Sequence, residues 1–228
     1  MDEVACVVPA RMKSNRFPGK PLAKIQGVPM VIRTLQRAQE AQCFGRIICA
    51  TDSALIAQIV KEAGFEVMLS PDVPTGSDRV AWVAQKLNLP LVINLQGDEP
   101  GVDPHLLKKV STALKKNPKY WITVASPLSV QQSSDVNCVK VQIKDGFATS
   151  FTREKVKGEQ WFLHNGIYGY ALPSLTEFFN IKANEAEKKM SIEPLRILNR
   201  RSIKIVITNK MAYSVDIPQD LLKVADFL

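Results

Sequence analysis

A loop rich in cations follows the first apolar segment of the chain. Residues 6–22 read CVVPARMKSNRFPGKPL and place Arg11, Lys13, Arg16 and Lys20 among turn-forming residues. Cations packed into one short loop repel one another unless an anion lies between them. Guanidinium and ammonium groups both suit phosphate oxygens. The loop therefore predicts a site for a polyphosphate.

A pair of carboxylates follows a second apolar run. In LVINLQGDEP (91–100) the apolar residues give way to Asp98 and Glu99 just before a proline. Acidic residues at the tip of a buried strand are more often ligands than scaffold. Mg²⁺ bridges phosphate oxygens and is commonly held by one or two carboxylates. We expect Asp98 to bind Mg²⁺, with Glu99 either a second ligand or a turn residue.

Alternating strand and helix patterns must position these groups. Apolar runs at 6–9, 46–52 and 66–69 predict buried strands, and the amphipathic segments predict helices from Met30, over 53–63 and over 75–87. The last of these helices has Ser77 as its candidate N-cap. This alternation implies right-handed crossovers and a mostly parallel sheet. Such sheets bind ligands at the carboxyl ends of their strands, where the cation loop and Asp98 would lie.

The second half of the chain has a different pattern. Strand-like runs WITVASPL, CVKVQI and FATSFTR follow one another without helices, and a Lys144-Asp145-Gly146 turn predicts that the latter two form a hairpin. Further segments complete the prediction: strands at 160–172 and 203–207, and helices at 173–179, 191–198 and 218–227. The sequence thus predicts an α/β protein with a Rossmann-like, mostly parallel central sheet flanked by helices and a smaller antiparallel lobe.

Composition limits the class of protein. The chain has 228 residues, 46% of them hydrophobic, which is enough for one domain with a sizeable core. Its net charge of +8 could suit nucleic acid, but the cations are scattered and no nucleic-acid module accompanies them. No apolar run reaches the roughly 18 residues that span a bilayer, and the acidic start MDEV is unlike a secretory signal. We expect a cytoplasmic protein with reduced cysteines, no specific nucleic-acid partner and no membrane insertion.

Several motifs together resemble a known family. PARMKSNRFPGKPL is similar to the signature loop of the sugar-activating cytidylyltransferases, in particular those acting on 3-deoxy-manno-octulosonate (Kdo). The likeness continues along nearly the whole chain, in the family's order, through ATD (50–52), TGSDR (75–79), NLQGDEP (94–100), HNGIYGY (164–170), IEPLR (192–196) and VDIPQDL (215–221). One such motif would be weak evidence, whereas the ordered set is specific.

The resemblance implies an activity and an organisation. It implies the nucleotide-diphospho-sugar transferase type of fold as a single domain over 1–228. Within that domain 1–120 would mainly bind CTP, 121–200 would mainly form a sugar-binding and dimerisation lobe, and 201–228 would return to the core. The implied reaction is Mg²⁺-dependent transfer of CMP from CTP to the anomeric hydroxyl of Kdo, with release of pyrophosphate. A homodimer and a place in lipopolysaccharide or capsule synthesis are implied as well.

The resemblance also implies roles for individual residues. Those expected to bind CTP are Ala10, Arg11, Ser14, Arg16, Lys20, Ser77 and Asp98. The catalytic groups among them would be Arg11, Arg16, Lys20 and Asp98. Those expected to bind the sugar are Gln96, Arg153, His164, Tyr168 and Glu193. Asp98 and Asp216 would hold the metal.

Some of these roles have a structural alternative. His164 could be a satisfied core histidine, Glu193 a solvated helix residue, and Asp216 only a cap of the last helix. The family usually has glutamine where Pro194 stands, a glycine before the valine-aspartate pair and a longer loop after Arg153. Two other functions therefore stay open: a cytidylyltransferase for another acidic sugar (8-amino-Kdo, sialic, legionaminic or pseudaminic acid), and a non-catalytic nucleotide- or sugar-binding homologue.

Overall fold

The structure of the protein, a computed structural model, describes residues 3–13, 17–209 and 214–226. Ser14 and Arg16 of the predicted polyphosphate loop lie outside these ranges. The strands are β1 (Val4–Ala10), β2 (Lys24–Ile25), β3 (Val28–Pro29), β4 (Arg46–Thr51), β5 (Glu66–Leu69), β6 (Leu91–Asn94), β7 (Trp121–Pro127), β8 (Lys140–Lys144), β9 (Phe147–Thr152), β10 (Trp161–Ala171) and β11 (Ile203–Ile207).

Helices alternate with the strands in the first half and cluster after β10 in the second. The α-helices are α1 (Met30–Glu40), α2 (Ala54–Glu62), α3 (Gly76–Lys86), α4 (Pro104–Lys116), α5 (Val130–Ser134), α6 (Leu172–Asn180), α7 (Glu185–Met190) and α8 (Asp220–Ala225). Two 3₁₀ helices cover Lys20–Leu22 and Glu193–Arg196. The helix expected at 191–198 is therefore only this second 3₁₀ turn.

Within the described ranges, nine strands form one sheet in the order β5-β4-β1-β6-β10-β7-β11-β9-β8. Neighbours are parallel from β5 to β6 and between β7 and β11. The strand β10 runs antiparallel to β6, to β7 and to β8. The α/β class predicted from the sequence is confirmed. The sheet is mixed, because β10 separates its parallel parts and the β8–β9 hairpin extends the same sheet.

Helices cover both faces of the sheet. Alternate residues of β1 point to opposite faces, as the pleat of a strand requires. Cys6 and Val8 pack with α1, α2 and α4, whereas Val7 packs with α3 and α6. On the second face the ring of Trp121 lies 4.5 Å from that of Tyr170. This packing fixes the two strands, β1 and β6, whose carboxyl ends carry the cation loop and Asp98.

Local backbone conformation and hydrogen bonding explain the turn between β8 and β9 and the start of α3. The hairpin turn between β8 and β9 has Asp145 at φ 51° and Gly146 at φ 80°, the left-handed conformation that a tight hairpin requires, so the predicted hairpin is confirmed. The N-cap predicted for α3 is wrong. Thr75 takes that position, since its hydroxyl oxygen accepts a hydrogen bond from the Asp78 amide at 3.1 Å. Ser77 lies buried inside the first turn.

Two expectations from composition can be compared with the structure. The cysteines are free thiols, with Cys6 and Cys49 buried and Cys43 and Cys138 half-buried. In the part of the chain that the structure describes, no helix is long and apolar enough to cross a membrane.

Candidate active site

The ends of β1 and β6 approach each other closely at Gly97. Its amide donates to the carbonyl oxygen of Pro9 at 3.3 Å. A Cβ atom at this position would lie only 2.7 Å from the same oxygen. Glycine is therefore required for the turn after β6 to lie against the end of β1. This approach places Asp98 beside the start of the cation loop.

A cavity of about 1270 Å³ opens at this edge of the sheet. It is large enough for a nucleotide together with a sugar. Its walls come from the ends of β1 and β6, the start of α3 and the segment from α6 to the second 3₁₀ helix. The predicted site residues on these walls are Ala10, Arg11, Lys20, Gln96, Asp98 and Glu193.

Lys20 brings together residues from three distant parts of the chain. Its ammonium group contacts the carboxylate of Asp98 and lies 4.0 Å from the Oδ1 atom of Asp216. The amide of Val215 donates to the carbonyl oxygen of Asp98 at 2.9 Å and holds the last segment in place. The helix α8 begins only at Asp220, with Gln219 at its cap position, so Asp216 does not cap it. The two predicted metal ligands therefore share one cation.

Glu99 lies directly behind this pair. It is buried, and burial together with the nearby carboxylates of Asp98 and Asp216 raises its pKa to about 8, against the opposing effect of Lys20. Among the described residues its Oε2 atom has no hydrogen-bond partner. A carboxyl group with this pKa is largely protonated at neutral pH, so the negative charge here comes from Asp98 and Asp216. These two carboxylates face the ammonium group of Lys20, which favours a further cation.

The donor set fits a hard divalent cation. Carboxylate oxygens are the ligands that Mg²⁺ prefers, usually one or two of them, with water and substrate oxygens completing the shell. The described ranges contain no group of three or more His, Cys, Asp or Glu residues able to hold a metal by themselves. A metal at Asp98 and Asp216 would thus need water or substrate oxygens to complete its shell.

A chain of hydrogen bonds orients Gln96. Its Nε2 atom donates to the Oδ1 atom of Asn94 at 3.1 Å, and the Asn94 amide donates to the Ser77 hydroxyl at 3.1 Å. That hydroxyl lies 3.1 Å from the hydroxyl of Tyr170. A Cβ atom on Gly76 would lie 3.0 Å from the Oε1 atom of Gln96, so glycine leaves room for this amide. Gln96 is thereby held between Asp98 and the start of α3.

Glu193 lies beside the first turn of α3. Its carboxyl group is close enough to Ser77 and Asp78 for both to affect its pKa. Burial raises the pKa of Glu193 and Asp78 raises it further, whereas Ser77 and Arg196 lower it. Among the described residues, its Oε2 atom has no partner. This oxygen is buried although the residue lines the cavity, so the solvated-face alternative for Glu193 is wrong.

The other predicted sugar ligands lie behind the wall. Arg153, His164 and Tyr168 are not among the described residues that line the cavity. The Nε2 atom of His164 lies 3.0 Å from the hydroxyl oxygen of Thr123, and its ring packs against Phe151 and Tyr168. Burial, and secondarily Arg153, lowers the pKa of His164 to about 3. His164 is therefore a neutral imidazole at neutral pH.

Arg153 contacts backbone carbonyl groups in this structure. Its Nε atom donates to the carbonyl oxygen of Met190 at 2.6 Å and its Nη1 atom to that of Asn137 at 2.8 Å. These bonds join the end of β9 to the end of α7 and to the loop between α5 and β8. Binding of a sugar carboxylate by Arg153 stays a prediction.

Sequence reasoning missed several charged residues of the cavity wall. Arg79 donates to Asp52 at 2.9 Å, and Arg196 lies in a buried ion-pair cluster with Asp78 and Glu187. Asp78 and Arg79 lie in the TGSDR motif and Arg196 lies in the IEPLR motif, so the sequence did contain a signal for these three residues. Glu187 carried none, because a glutamate in a charged segment usually faces solvent.

The sequence is similar to those of known cytidylyltransferases along nearly its whole length. A family model described as cytidylyltransferase matches residues 5–198. This chain belongs to the cytidylyltransferase family. A 3-deoxy-manno-octulosonate cytidylyltransferase of Syntrophotalea carbinolica is 35% identical to it over 97% of this chain and 96% of its own. Another, from Leptospira biflexa, is 38% identical over 96% of this chain and 94% of its own.

A solved structure shows the same architecture as this cytidylyltransferase. The structure of CMP:2-keto-3-deoxy-manno-octonic acid synthetase complexed with CTP superposes with a TM-score of 0.92. It is 28% identical and covers 99% of this chain and 98% of its own. The family membership and the nucleotidyltransferase fold expected from the motifs are confirmed.

Proposed function

We propose that this cytidylyltransferase transfers CMP from CTP to the anomeric C2 hydroxyl of Kdo and releases pyrophosphate. The observation that carries the proposal is one cavity with two kinds of polar wall. Lys20 and Asp98 line one end, with Asp216 beside Lys20, and the carboxyl group of Glu193 lines the other. The relatives named for Kdo align over nearly the whole chain and support this substrate.

The phosphate end would bind the triphosphate of CTP. Arg11 and Lys20 line the cavity there and offset the negative charge of the α-phosphate and of the leaving pyrophosphate. Ser14 and Arg16, which lie outside the described residues, would also bind the triphosphate. Asp98 and Asp216 would hold Mg²⁺, and the bound ion would supply further charge neutralisation at the phosphates. Ala10 and Ser77, at the ends of β1 and the start of α3, would contact the remainder of the nucleotide.

The sugar end would orient the attacking hydroxyl. The carboxyl group of Glu193 accepts a hydrogen bond from a sugar hydroxyl, and the amide of Gln96 lies between the sugar and the phosphate end. Neutral His164 and Tyr168 shape the pocket behind, and Arg153 exchanges its carbonyl partners for the sugar carboxylate. Attack on the α-phosphorus proceeds in line with the departing pyrophosphate. Most of the acceleration then comes from positioning and charge compensation rather than from a general base.

The remaining assignments belong to the same proposal. Residues 121–200, which include the β8–β9 hairpin and β10, would form the sugar-binding lobe and the contact of a homodimer, beside the mostly parallel half from β5 to β6. The enzyme would work in the cytoplasm and provide activated Kdo for lipopolysaccharide or capsule.

A second acidic sugar is the nearest alternative. Pro194 follows Glu193 directly in the second 3₁₀ helix and is buried. Proline offers no amide donor and no polar side chain, unlike the glutamine usual in the family. This difference affects the sugar end alone, so the alternative keeps CTP and changes only the acceptor.

Pyrophosphate release tests the proposal directly. The purified protein is given CTP, Mg²⁺ and, separately, Kdo, 8-amino-Kdo, sialic acid, legionaminic acid or pseudaminic acid. We expect turnover with Kdo that disappears when the metal is chelated. Turnover with another of these sugars would replace Kdo, and no turnover from protein that still binds CTP would support the non-catalytic homologue.

A further inference from the structure

A buried guanidinium group lies between two carboxylates that the proposed reaction does not use. Arg196, Asp78 and Glu187 are all almost fully buried. The Nη1 atom of Arg196 donates to Asp78 at 2.7 Å, and its Nε and Nη2 atoms donate to Glu187 at 2.8 and 2.6 Å. The guanidinium also stacks 3.9 Å from the ring of Phe178. The donors of Arg196 are thus committed within the protein, although the residue lines the cavity.

These three residues join the two ends of the site. Asp78 stands in the first turn of α3, Glu187 in α7, and Arg196 in the same 3₁₀ helix as Glu193. Residues three apart in a 3₁₀ helix lie on the same side. Glu193 and Arg196 therefore face α3 together.

Two neighbouring residues of α3 lie against this pair. Asp78 accepts a hydrogen bond from Arg196, and Ser77 lies close enough to the Glu193 carboxyl group to affect its pKa. The bonds of Arg196 to Asp78 on α3 and to Glu187 on α7 attach the 3₁₀ helix at two points, which fixes its rotation. The rotation determines where the carboxyl group of Glu193 points.

We propose that Arg196, clamped by Asp78 and Glu187, is a positioning residue that aims Glu193 into the cavity and so sets the affinity for the acidic sugar. The proposal rests on the function proposed above. Glu187 provides the bidentate partner that keeps the guanidinium plane fixed. A buried cluster of charges loses solvation without a large net gain in stability, so its distinctive contribution is a defined geometry.

The substitution Glu187→Gln tests this arrangement with little change in volume. It removes one of the charges that orient Arg196 and leaves Asp78, Glu193 and Ser77 in place. Glu185→Gln is the matched control, because Glu185 is on the same helix, is exposed and forms a surface ion pair with Lys188 at 2.9 Å. We expect Glu187→Gln to raise the KM for Kdo about tenfold, equivalent to roughly 1.4 kcal/mol, with the KM for CTP changed less than about twofold. The control should behave as the wild type.

A double variant separates positioning from general loss of structure. If Glu187 acts through Glu193, then Glu187→Gln added to Glu193→Gln should cause little further loss of kcat/KM for the sugar. Multiplied losses, equal changes in both KM values, or an equal effect of Glu185→Gln would each overturn the proposal.

Sugar binding is also measured without turnover, from the rise in Tm that each sugar causes in the presence of CTP. Wild-type protein that binds an acidic sugar but does not turn it over would contradict the proposed function. The positioning role would still be decided by whether Glu187→Gln weakens that binding. Wild-type protein that responds to none of the sugars by either measurement would overturn both.

Discussion

Lys20 donates a hydrogen bond to the carbonyl oxygen of Val215 at 2.9 Å, although 195 residues separate them. The same ammonium group contacts Asp98 and lies near Asp216. Three motifs that are far apart in the sequence therefore meet at one charged atom. In the proposed reaction Asp98 and Asp216 would hold a metal ion beside Lys20, and both positive charges would offset the negative charge of the CTP phosphates.

The first prediction concerns Asp98. Asp98→Asn keeps the size of the side chain but removes the charge that balances Lys20 and would hold Mg²⁺. We expect kcat to fall by at least about 10²–10³-fold, the scale typical of losing one electrostatic group at a reaction centre. Binding of Mn²⁺ in the presence of CTP, followed by electron paramagnetic resonance, should weaken in parallel.

Glu62→Gln serves as the control for that prediction. Glu62 ends α2 on the exposed surface and accepts a hydrogen bond from Gln58, so its loss should leave turnover and Mn²⁺ binding unchanged. Both variants should melt close to the wild type. Full activity of Asp98→Asn would remove the metal role assigned to this residue.

The second prediction concerns Glu193. Replacement by glutamine keeps a hydrogen-bonding side chain but changes an acceptor oxygen into a donor group. We expect the KM for Kdo to rise about ten- to hundredfold, as when a hydrogen bond to a charged group is lost. The KM for CTP should change far less. Steady-state kinetics with each substrate varied in turn would show an equal rise in both if Glu193 binds the nucleotide instead.

Much of the phosphate end could be predicted from the sequence. Short apolar strands followed by loops with cations or carboxylates place Arg11, Lys20 and Asp98 at one edge of a sheet, because carboxyl ends of adjacent parallel strands coincide. The β8–β9 hairpin could also be predicted from the sequence, since an Asp-Gly pair such as Asp145-Gly146 favours the left-handed backbone of a tight turn.

The sugar end was harder to predict because it depends on long-range pairing. The segment of β10 reads as a strand, but nothing local shows that it inserts antiparallel between β6 and β7. The same limit applies to Glu187, whose burial depends on an arginine nine residues away. Position along the chain did not reveal that His164 lies behind the cavity wall, since its burial arises from rings of other strands.

The third prediction concerns Gly97. A Cβ atom there would lie 2.7 Å from the Pro9 carbonyl oxygen, and backbone on both sides leaves no flexible side chain to move away. Gly97→Ala should therefore force β1 and the turn after β6 apart, at a cost of roughly 1–3 kcal/mol in the free energy of unfolding. It should also weaken CTP binding, because Asp98 moves relative to Ala10.

Gly166→Ala provides a comparison for that variant. A Cβ atom at Gly166 meets the nearest atom, Cγ of Gln96, at an ordinary contact distance of 3.8 Å. Urea denaturation should show a smaller loss of stability for Gly166→Ala than for Gly97→Ala. Equal losses would mean that the approach of Pro9 and Gly97 is not the sensitive contact.

The fourth prediction concerns the pH dependence of stability at His164. Its pKa falls from 6.5 to about 3 in the folded protein, so below pH 6.5 the unfolded chain binds a proton that the folded protein does not. The contribution of His164 to stability is therefore complete above pH 6.5 and is lost as the pH falls toward 3, by up to about 1.4 kcal/mol per pH unit. His164→Gln should be less stable than the wild type at pH 7 yet show a shallower decline in stability on acidification.

Urea denaturation of both proteins between pH 7 and pH 4.5 measures the difference in slope. His105→Gln is the control, because His105 is exposed at the start of α4. Parallel slopes for the wild type and His164→Gln would show that the imidazole is protonated in the folded state and is not held neutral by burial.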